Sequence, residues 1–441
     1  MTIHRRRLTV AAAVFAVLGL TACSNASMSG NSGGGVADLS GDVPTGVTIT
    51  MWHNTADSQA LLDLYQAYED YSGNTIELVD IPSASYTKDI QVKWATGERP
   101  DLMEWSGNPI DVSGLNVPDN MLDLSDMDFV QAGGQIAQQS GVSDGKTYAA
   151  TLGPLGIRGI FYNKDVFAQL GLDEPQTYDD LIADCAAVQS SGSGVDTFFE
   201  AAGSGYPQSI LAVYLYLADS NIDDAYIDAV TSGEEKINDP DGAFVKALTQ
   251  YDELRTSGCF NSDAATAKIE DARNALWNGE AAMMGDSVDA IAVFDSLANG
   301  DTDAVDSKIG FVTPSVSGQT APYTFSPLGT FYVPETGDSD KERVALDFIE
   351  FATGQGYQDY VDEATSIPTL DTATTPEMQG LWQEVADQYE ASASLGINAG
   401  IPGFGNIGDE TMKLTAGQST PQQVADNMQA YYDQAVAAAA G

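Results

Sequence analysis

The chain has 441 residues, of which 64 are acidic and 18 basic, giving a formal net charge of −46. A chain of this length exceeds what one hydrophobic core usually organises, so we expect two lobes or domains. The negative field disfavours nucleic acid and anionic membrane surfaces as partners, because both carry charge of the same sign. The charge identifies no substrate, since an acidic surface more often serves solubility.

The first 23 residues carry the pattern of a bacterial export signal. Three arginines at 5–7 are followed by an apolar run over 8–20, which is too short to span a bilayer. Leu20-Thr21-Ala22-Cys23 resembles a lipobox, which predicts removal of residues 1–22 and acylation of Cys23. We therefore expect an exported protein held by lipid on the outer face of the bacterial cytoplasmic membrane. Residues 23–45 then predict an acylated Cys and a flexible, Ser- and Gly-rich tether.

The folded part opens with β-α units. An alternating strand over 47–52 leads to His53 and Asn54, and a helix with an apolar face follows over 57–71. In open α/β sheets, ligands gather at the carboxyl ends of the strands. His53 and Asn54 are therefore candidates for hydrogen bonding to a ligand, and the alternative is an ordinary loop that caps the helix.

Residues 144–181 are the most informative stretch. They predict a buried strand over 157–162, a helix that starts at Asn163-Lys164-Asp165, and a second helix with Thr177 as N-cap and Asp180 completing an imperfect capping box. This order of strand, Tyr-Asn-Lys-Asp, helix, Gly-Leu, Pro and Thr-Tyr-Asp-Asp-Leu resembles the lobe-crossing segment of family 1 extracellular solute-binding proteins. These are the carbohydrate receptors of ATP-binding cassette importers and include the maltodextrin-binding proteins.

Two further stretches carry the same resemblance. The run 97–105 is similar to the family's Gly-x-x-Pro-Asp pattern and the strand that follows it. The run 275–287 is similar to the family's aromatic residue, the x-Gly-x-Ala-Ala-Met pattern after it, and the strand that they lead into. The resemblance covers about residues 46–440. It implies a two-lobed α/β fold of the periplasmic-binding-protein type (type II), with three interlobe crossovers and a ligand cleft between the lobes. The implied boundaries are an N-lobe of 46–155 and 314–365 and a C-lobe of 156–313 and 366–441.

The resemblance also implies polar groups at the ligand. Asn108 stands where the maltodextrin binders have a sugar-binding Asp, which suggests a different pattern of hydroxyl contacts. Asp286 and Ser287 lie at a strand end where the family's loop faces the ligand. Asp289 replaces a stacking Trp of the maltodextrin binders, and this departure disfavours long α-glucans.

Three aromatic residues fall where the family has sugar-facing rings. Trp105 follows a strand and precedes Ser-Gly-Asn-Pro, so we expect it to be less than fully buried, with core packing as the alternative. Tyr206 follows a Gly-rich turn, and its alternative is a packed Tyr at a helix start. Phe404 lies in the loop Gly403–Gly408, which gives little reason to bury it.

Two cysteines remain beyond the signal, Cys185 and Cys259, and both fall in the implied C-lobe. An exported protein meets an oxidising compartment, so they form either a disulfide or two buried free thiols. Neither has metal-ligand residues nearby, and we expect no metal and no cofactor.

The residues and the resemblance together predict a receptor without catalysis. It would close its two lobes on an oligosaccharide and present the closed form to the membrane permease subunits of an importer, as a monomer without nucleic-acid partners. Two alternatives stay open. One is an exported glycoside-acting enzyme that uses a pair of the many carboxylates. The other is a receptor for a cationic solute, such as a polyamine, attracted by the negative field.

Overall fold

Two separate β-sheets organise the chain in the computed structural model, which describes residues 35–132, 135–204, 224–314, 318, 321–396 and 400–439. The strands are Thr48–Asn54 (β1), Thr75–Ile81 (β2), Leu102–Glu104 (β3), Val142–Ser143 (β4), Lys146–Thr147 (β5), Ala149–Thr151 (β6), Arg158–Asn163 (β7), Asp196–Phe198 (β8), Ala281–Ser287 (β9), Ile309–Val312 (β10), Ala321–Tyr323 (β11), Thr330–Tyr332 (β12) and Ala393–Leu395 (β13).

The first sheet has the order β2-β1-β3-β12-β6, and the second has the order β10-β7-β9-β8. In the first sheet β1 runs parallel to β2 and β3, while β12 runs antiparallel to β3 and β6. In the second, β7 is antiparallel to β9 and β10, and β8 is parallel to β9. Two small pairs, β4 with β5 and β11 with β13, complete the described sheets.

Helices cover both sheets. They are Gln59–Ser72 (α1), Tyr86–Ala95 (α2), Pro109–Gly114 (α3), Val117–Asn120 (α4), Asp128–Ala132 (α5), Gln135–Gln139 (α6), Lys164–Leu170 (α7), Tyr178–Ser191 (α8), Asp224–Ser232 (α9), Ala243–Thr256 (α10), Ile269–Asn278 (α11), Ala290–Leu297 (α12), Thr302–Lys308 (α13), Ser339–Thr353 (α14), Tyr357–Ala364 (α15), Gly380–Ala391 (α16), Ile407–Thr415 (α17) and Pro421–Ala439 (α18). Within the described ranges, none of these helices has both the length and the hydrophobicity needed to cross a bilayer.

The helix starts predicted for the 144–181 stretch are confirmed. The Asn163 side chain accepts a hydrogen bond from the Val166 amide at the start of α7. At α8 the Thr177 hydroxyl accepts from the Asp180 amide, and the Asp180 carboxylate accepts from the Thr177 amide. This reciprocal pair satisfies two backbone donors that a helix start otherwise leaves unpaired. It fixes where the chain turns back after β7.

Each sheet has its own hydrophobic core, which confirms the two-lobed α/β fold. In the first lobe, Phe331 of β12 packs against Tyr65 and Phe348 at centroid distances of 6.1 and 5.2 Å. In the second, Phe161 of β7 packs against Phe294 and Phe311 at 5.5 and 5.0 Å. The chain passes between the sheets from β6 to β7, from β11 to β12, and from α15 to α16.

The second passage lies later in the chain than the implied boundary at 314. Strand β11 pairs with β13, and Ala321, Tyr323 and Phe325 pack in the core of the second lobe. We therefore propose that the second passage falls between Phe325 and Thr330, where the first lobe's sheet is re-entered. The other implied boundaries stay predictions.

The prediction of a flexible tether was wrong for residues 35–44. Val36 forms a bridge with Asp123, and the Ala37 amide donates to the Asp123 carbonyl at 3.0 Å. Leu39 and Val43 pack against the first lobe's core. Small and polar residues alone suggested a tether, but three apolar residues of this segment, Ala37, Leu39 and Val43, pack against the first lobe. The signal, Cys23 and the rest of the predicted tether lie outside the described residues.

Cys185 and Cys259 form a disulfide, which decides between the two alternatives left by the sequence. Their Cα atoms are 5.4 Å apart, and both residues are buried in the second lobe. The bond joins α8 to the segment after α10, across a sequence separation of 74 residues. Cross-linking so distant a pair restricts the unfolded chain more than it restricts the fold.

We predict that replacing both cysteines by alanine lowers the free energy of unfolding by about 4 kcal/mol, because a loop of this length loses that much closure entropy when linked. Urea denaturation of the wild type and the double variant measures the difference. Reductant should lower the melting temperature of the wild type and leave that of the variant unchanged. Equal stability of the two proteins under oxidising conditions would contradict the prediction.

Candidate functional site

A cavity of about 540 Å³ lies where the two lobes and the chain passages meet. The first lobe contributes Leu61 and Leu328, and the second contributes Val288 and Trp382. The passages contribute the rest of the aliphatic wall. The described lining residues are Ala56, Ser58, Leu61, Pro154, Leu155, Ile157, Val288, Asp289, Ala292, Leu328, Tyr360, Ala364, Thr365, Ser366, Ile367 and Trp382. A space shared by two lobes can open and close as the lobes move.

Trp382 is the more exposed of two aromatic side chains in the described lining, the other being Tyr360, and sequence reasoning did not nominate it. It lies in the first turn of α16, packs against the second lobe's core, and is half-buried. A ring that packs on one face and meets a cavity on the other can stack on a flat ligand. The sequence did hold a signal, because Trp382 lies in the first turn of the first helix after the passage at Ile367-Pro368.

Backbone hydrogen bonds fix the cavity's aliphatic wall. The Val288 amide donates to the Ile157 carbonyl at 3.0 Å, which holds the end of β9 against the start of β7. On the other side, Gly329 has a φ of +66°, and a Cβ there would lie 2.2 Å from the Gly153 carbonyl oxygen. Only glycine allows this close approach, which seats Leu328 beside the first passage.

His53 and Asn54 end β1 just before the lining residues Ala56 and Ser58. His53 is buried between two carboxylates, with Nδ1 3.2 Å from Asp57 and Nε2 2.9 Å from Asp80. The hydrogen bond to Asp57 raises the pKa of His53, and the bond to Asp80 adds to this against the opposing effect of burial. The Asn54 side chain accepts a bond from the Ala56 amide, so it shapes the loop. Their ligand roles stay predictions.

Glu104, at the end of β3, is a buried carboxyl group beside the cavity wall that sequence reasoning did not single out. Its carboxylate is fully buried and accepts bonds from the Asn54 amide at 2.9 Å and the Gly329 amide at 2.7 Å. Burial raises the pKa of Glu104 well above its usual range, and the charge of nearby Asp57 adds to the rise. The residue thereby joins two loops that contribute to the cavity wall.

Trp105 is 1% exposed, so the expectation that it would be less than fully buried was wrong. Its indole N–H donates to the Asp111 carbonyl at 2.9 Å, and the ring belongs to a first-lobe cluster. The turn after β3 folds back over the ring, which explains the burial. Asn108 is half-buried and exchanges two hydrogen bonds with the backbone of Phe325, each 3.2 Å long. It therefore ties the first lobe to the second passage.

Asp286 and Ser287 end β9 directly before the lining residues Val288 and Asp289. The Asp286 carboxylate is buried and lies 2.7 Å from the Arg273 Nε. Burial raises the pKa of Asp286, and the Arg273 partner opposes that rise. The Ser287 hydroxyl donates to Asp289 at 2.9 Å, which orients the Asp289 carboxylate at the cavity. The structure thus places these two residues behind the lining.

Phe404 is fully buried, so the expectation of an uncovered loop ring was wrong. It packs edge-to-face on Phe244 at 5.3 Å in the second lobe's core. Gly403, with a φ of +84°, lies so close to the Tyr431 backbone that the loop is pressed onto α18, which turns Phe404 inward. Tyr206 lies outside the described residues. Phe404 and Trp105 therefore do not share the cavity.

In the described part of the chain, no cluster of three or more His, Cys, Asp or Glu residues is arranged to hold a metal ion. The polar side-chain groups of the described lining are four hydroxyls, the Asp289 carboxylate and the Trp382 indole N–H. Such a site can bind a ligand by ring stacking, aliphatic contact and a few hydrogen bonds.

A two-lobed fold with a cavity between the lobes defines the class of binding proteins that close around a solute. The sequence profile described as "Bacterial extracellular solute-binding protein" matches residues 52–359, and the chain belongs to this family. The predicted resemblance is thereby confirmed. No curated protein matches the chain.

Solved structures agree on the fold. A family 1 extracellular solute-binding protein from Bifidobacterium longum subsp. infantis aligns with a TM-score of 0.73 at 16% identity, covering 89% of this chain and 100% of that one. A chitin oligosaccharide binding protein aligns with a TM-score of 0.70 at 18% identity, covering 91% of this chain and 100% of that one. RafE in complex with raffinose aligns with a TM-score of 0.62 at 17% identity, covering 88% of this chain and 99% of that one. At these identities the likeness shows the fold alone.

We predict that His53→Gln lowers the free energy of unfolding more at pH 6 than at pH 9, by about 1 kcal/mol. The pKa of His53 is raised in the fold, so its stabilisation is full below the unfolded pKa of about 6.5 and is lost as pH rises through the folded pKa. Urea denaturation at both pH values measures this. Asp80→Asn should reduce the same pH dependence in part, and an equal loss for His53→Gln at both pH values would contradict the assignment.

Proposed function

We propose that this protein is the substrate-binding lipoprotein of an ATP-binding cassette sugar importer. It captures an oligosaccharide between its lobes and delivers it to the membrane permease. The observation that carries the proposal is the cavity at the meeting of the two lobes, with the half-buried Trp382 on its wall. A sugar ring has an apolar face that stacks on an aromatic ring and hydroxyls at its edge that need partners.

The structural neighbours support a sugar as the ligand. One is named for chitin oligosaccharides and another holds raffinose. We propose that Trp382 stacks on a sugar ring and that Asp289 and Ser366 bond its polar groups. In this proposal His53, Asn54, Asn108, Asp286 and Ser287 hold the loops that bear these contacts, and Tyr206 stays a predicted contact.

Binding without catalysis is the reading that the cavity favours. Hydrolysis of a glycosidic bond needs two carboxyl groups that flank the bond. Among the described lining residues, Asp289 is the one carboxylate. A polyamine receptor would need several carboxylates between its aromatic rings, and the described lining is mainly aliphatic. We therefore propose a receptor for a neutral carbohydrate.

We predict that Trp382→Ala weakens oligosaccharide binding about 10- to 100-fold, because the stacking surface is lost. Titration calorimetry with an oligosaccharide panel measures affinity, and chromatography of the mixtures should show no product. Trp277→Phe is the matched control, because Trp277 is a second-lobe Trp that stacks on Phe294 away from the described cavity lining. Unchanged affinity for Trp382→Ala would refute its role, and product formation would refute a pure receptor.

We predict that Cys23→Ser releases the protein from the membrane fraction into the medium, because the acylated thiol is the proposed anchor. Fractionation of expressing cells followed by immunoblotting measures the distribution. A conservative Ser24→Ala change beside it should leave the protein membrane-bound. Retention of Cys23→Ser in the membrane fraction would argue for a different anchor.

A further inference from the structure

The wall of the cavity is mainly aliphatic, although the proposed ligand is rich in hydroxyls. Leu61 and Leu328 line it from the first lobe, Val288 from the second, and Leu155 and Ile367 from the passages. Ring hydroxyls placed against such a wall lose water without gaining a partner, which weakens binding. The wall therefore favours a ligand that presents carbon groups as well as ring faces.

Three polar side chains of the described lining already have partners in the protein. The Ser58 hydroxyl accepts from the Leu61 amide at 3.3 Å, as the cap of α1. The Tyr360 hydroxyl donates to the Gly153 carbonyl at 3.1 Å. The Asp289 carboxylate accepts a hydrogen bond from the Ser287 hydroxyl. Because Asp289 is exposed and lines the cavity, its carboxylate can accept further hydrogen bonds there. Besides Ser366, the remaining polar side chains of the described lining are the exposed Thr365 and the half-buried Trp382.

Ser366 differs from these groups. Its hydroxyl oxygen is buried and, among the described residues, has no hydrogen-bond partner. The residue lies in the third passage between the lobes and lines the cavity beside Ile367. A buried hydroxyl without a partner costs stability unless a ligand supplies one. Ser366 thus provides one donor for an acceptor on the ligand.

One chemical group can contact all three of these features, namely the aliphatic wall, the buried Ser366 hydroxyl and the Asp289 carboxylate. An acetamido substituent carries a methyl, a carbonyl acceptor and an N–H donor. We propose that the ligand is an N-acetylated oligosaccharide, an inference that rests on the proposed sugar-binding function. The methyl packs on the wall formed by Leu155, Val288 and Ile367. The carbonyl accepts from Ser366, the N–H donates to Asp289, and Trp382 stacks on a sugar ring.

Matched sugar pairs test this inference on the mature protein. N,N′,N″-triacetylchitotriose and cellotriose share the β-1,4 linkage and differ at the acetamido position. N-acetyllactosamine and lactose form a second pair, while the deacetylated chitosan trimer carries free amines. Titration calorimetry should show an acetylated sugar binding at least about tenfold more tightly than its unsubstituted partner.

The outcomes separate the two levels of the proposal. Equal or tighter binding of the unsubstituted sugars in both pairs overturns the acetamido inference and leaves the oligosaccharide receptor standing. Tightest binding of the amine trimer overturns it as well, in favour of a cationic ligand at Asp289. So does binding of raffinose or maltotriose without binding of any acetylated sugar. No binding of any of these sugars counts against the proposed function itself.

Two variants locate the preference in the cavity. Ser366→Ala should reduce the ratio of acetylated to unsubstituted affinity several-fold, because it removes the donor to the carbonyl. Val288→Thr keeps the shape of the side chain but makes the wall polar, and should reduce the same ratio. Val436→Thr is the control, since Val436 is 43% exposed on the last helix. An unchanged ratio in both cavity variants, with melting temperatures near the wild type, would overturn the assignment.

Discussion

One buried carboxylate, Glu104, holds the cavity side of the first lobe together. It accepts hydrogen bonds from the backbone amides of Asn54 and Gly329, which lie on loops 275 residues apart in sequence. Removing a carboxylate from water is costly, and two amide donors offset part of that cost. The elements that it joins lead directly into Ala56 and Leu328. The wall of the cavity therefore depends on a side chain that is not itself part of the lining.

The second lobe reaches the cavity by a different route. There, backbone hydrogen bonds hold the lining residues in place. Strands β7 and β9 pair in register, and the pairing continues past Ser287 through the Val288 amide. Between the lobes, Leu155 forms an isolated β-bridge with Phe325, and the Asn108 side chain forms two hydrogen bonds with the Phe325 backbone. Two of the three passages are thus fastened to each other beside the cavity. Lobe motion in this fold has to bend these short segments, because the two cores on either side are packed separately.

The sequence predicted the architecture well because local patterns determine local elements. The capping residues Thr177 and Asp180 mark the start of α8 whatever surrounds them. Side-chain direction is less local. Trp105 and Phe404 stand in loops near strand and helix ends, but contacts with Asp111 and Phe244 turn them into the cores. Neither contact can be read from the spacing of residues along the chain.

There is also a physical reason why the sequence did not point to Trp382 and Glu104. Trp382 sits in the first turn of an amphipathic helix, close in sequence to core residues such as Leu381 and Val385. From the sequence it therefore looks like another core residue. Its exposure to the cavity follows from the way α16 ends the third passage, which is a tertiary property. Glu104 looks like an ordinary strand-end acid in the sequence, because its two amide partners lie far away in the chain. A pattern of three or four residues cannot report such partners.

The large negative charge belongs to the surface more than to the cavity. Several of the 18 basic residues pair with buried acids: Arg273 with Asp286, Lys413 with Glu410, Lys341 with Asp101, and Lys146 with Asp123. These pairs neutralise charge on carboxylates that are largely removed from water. The remaining excess of acids is then left mainly at positions where water screens it. Asp289 is the one carboxylate of the described cavity lining, which is otherwise mostly aliphatic, so the net charge of the chain is a poor guide to the charge of this cavity.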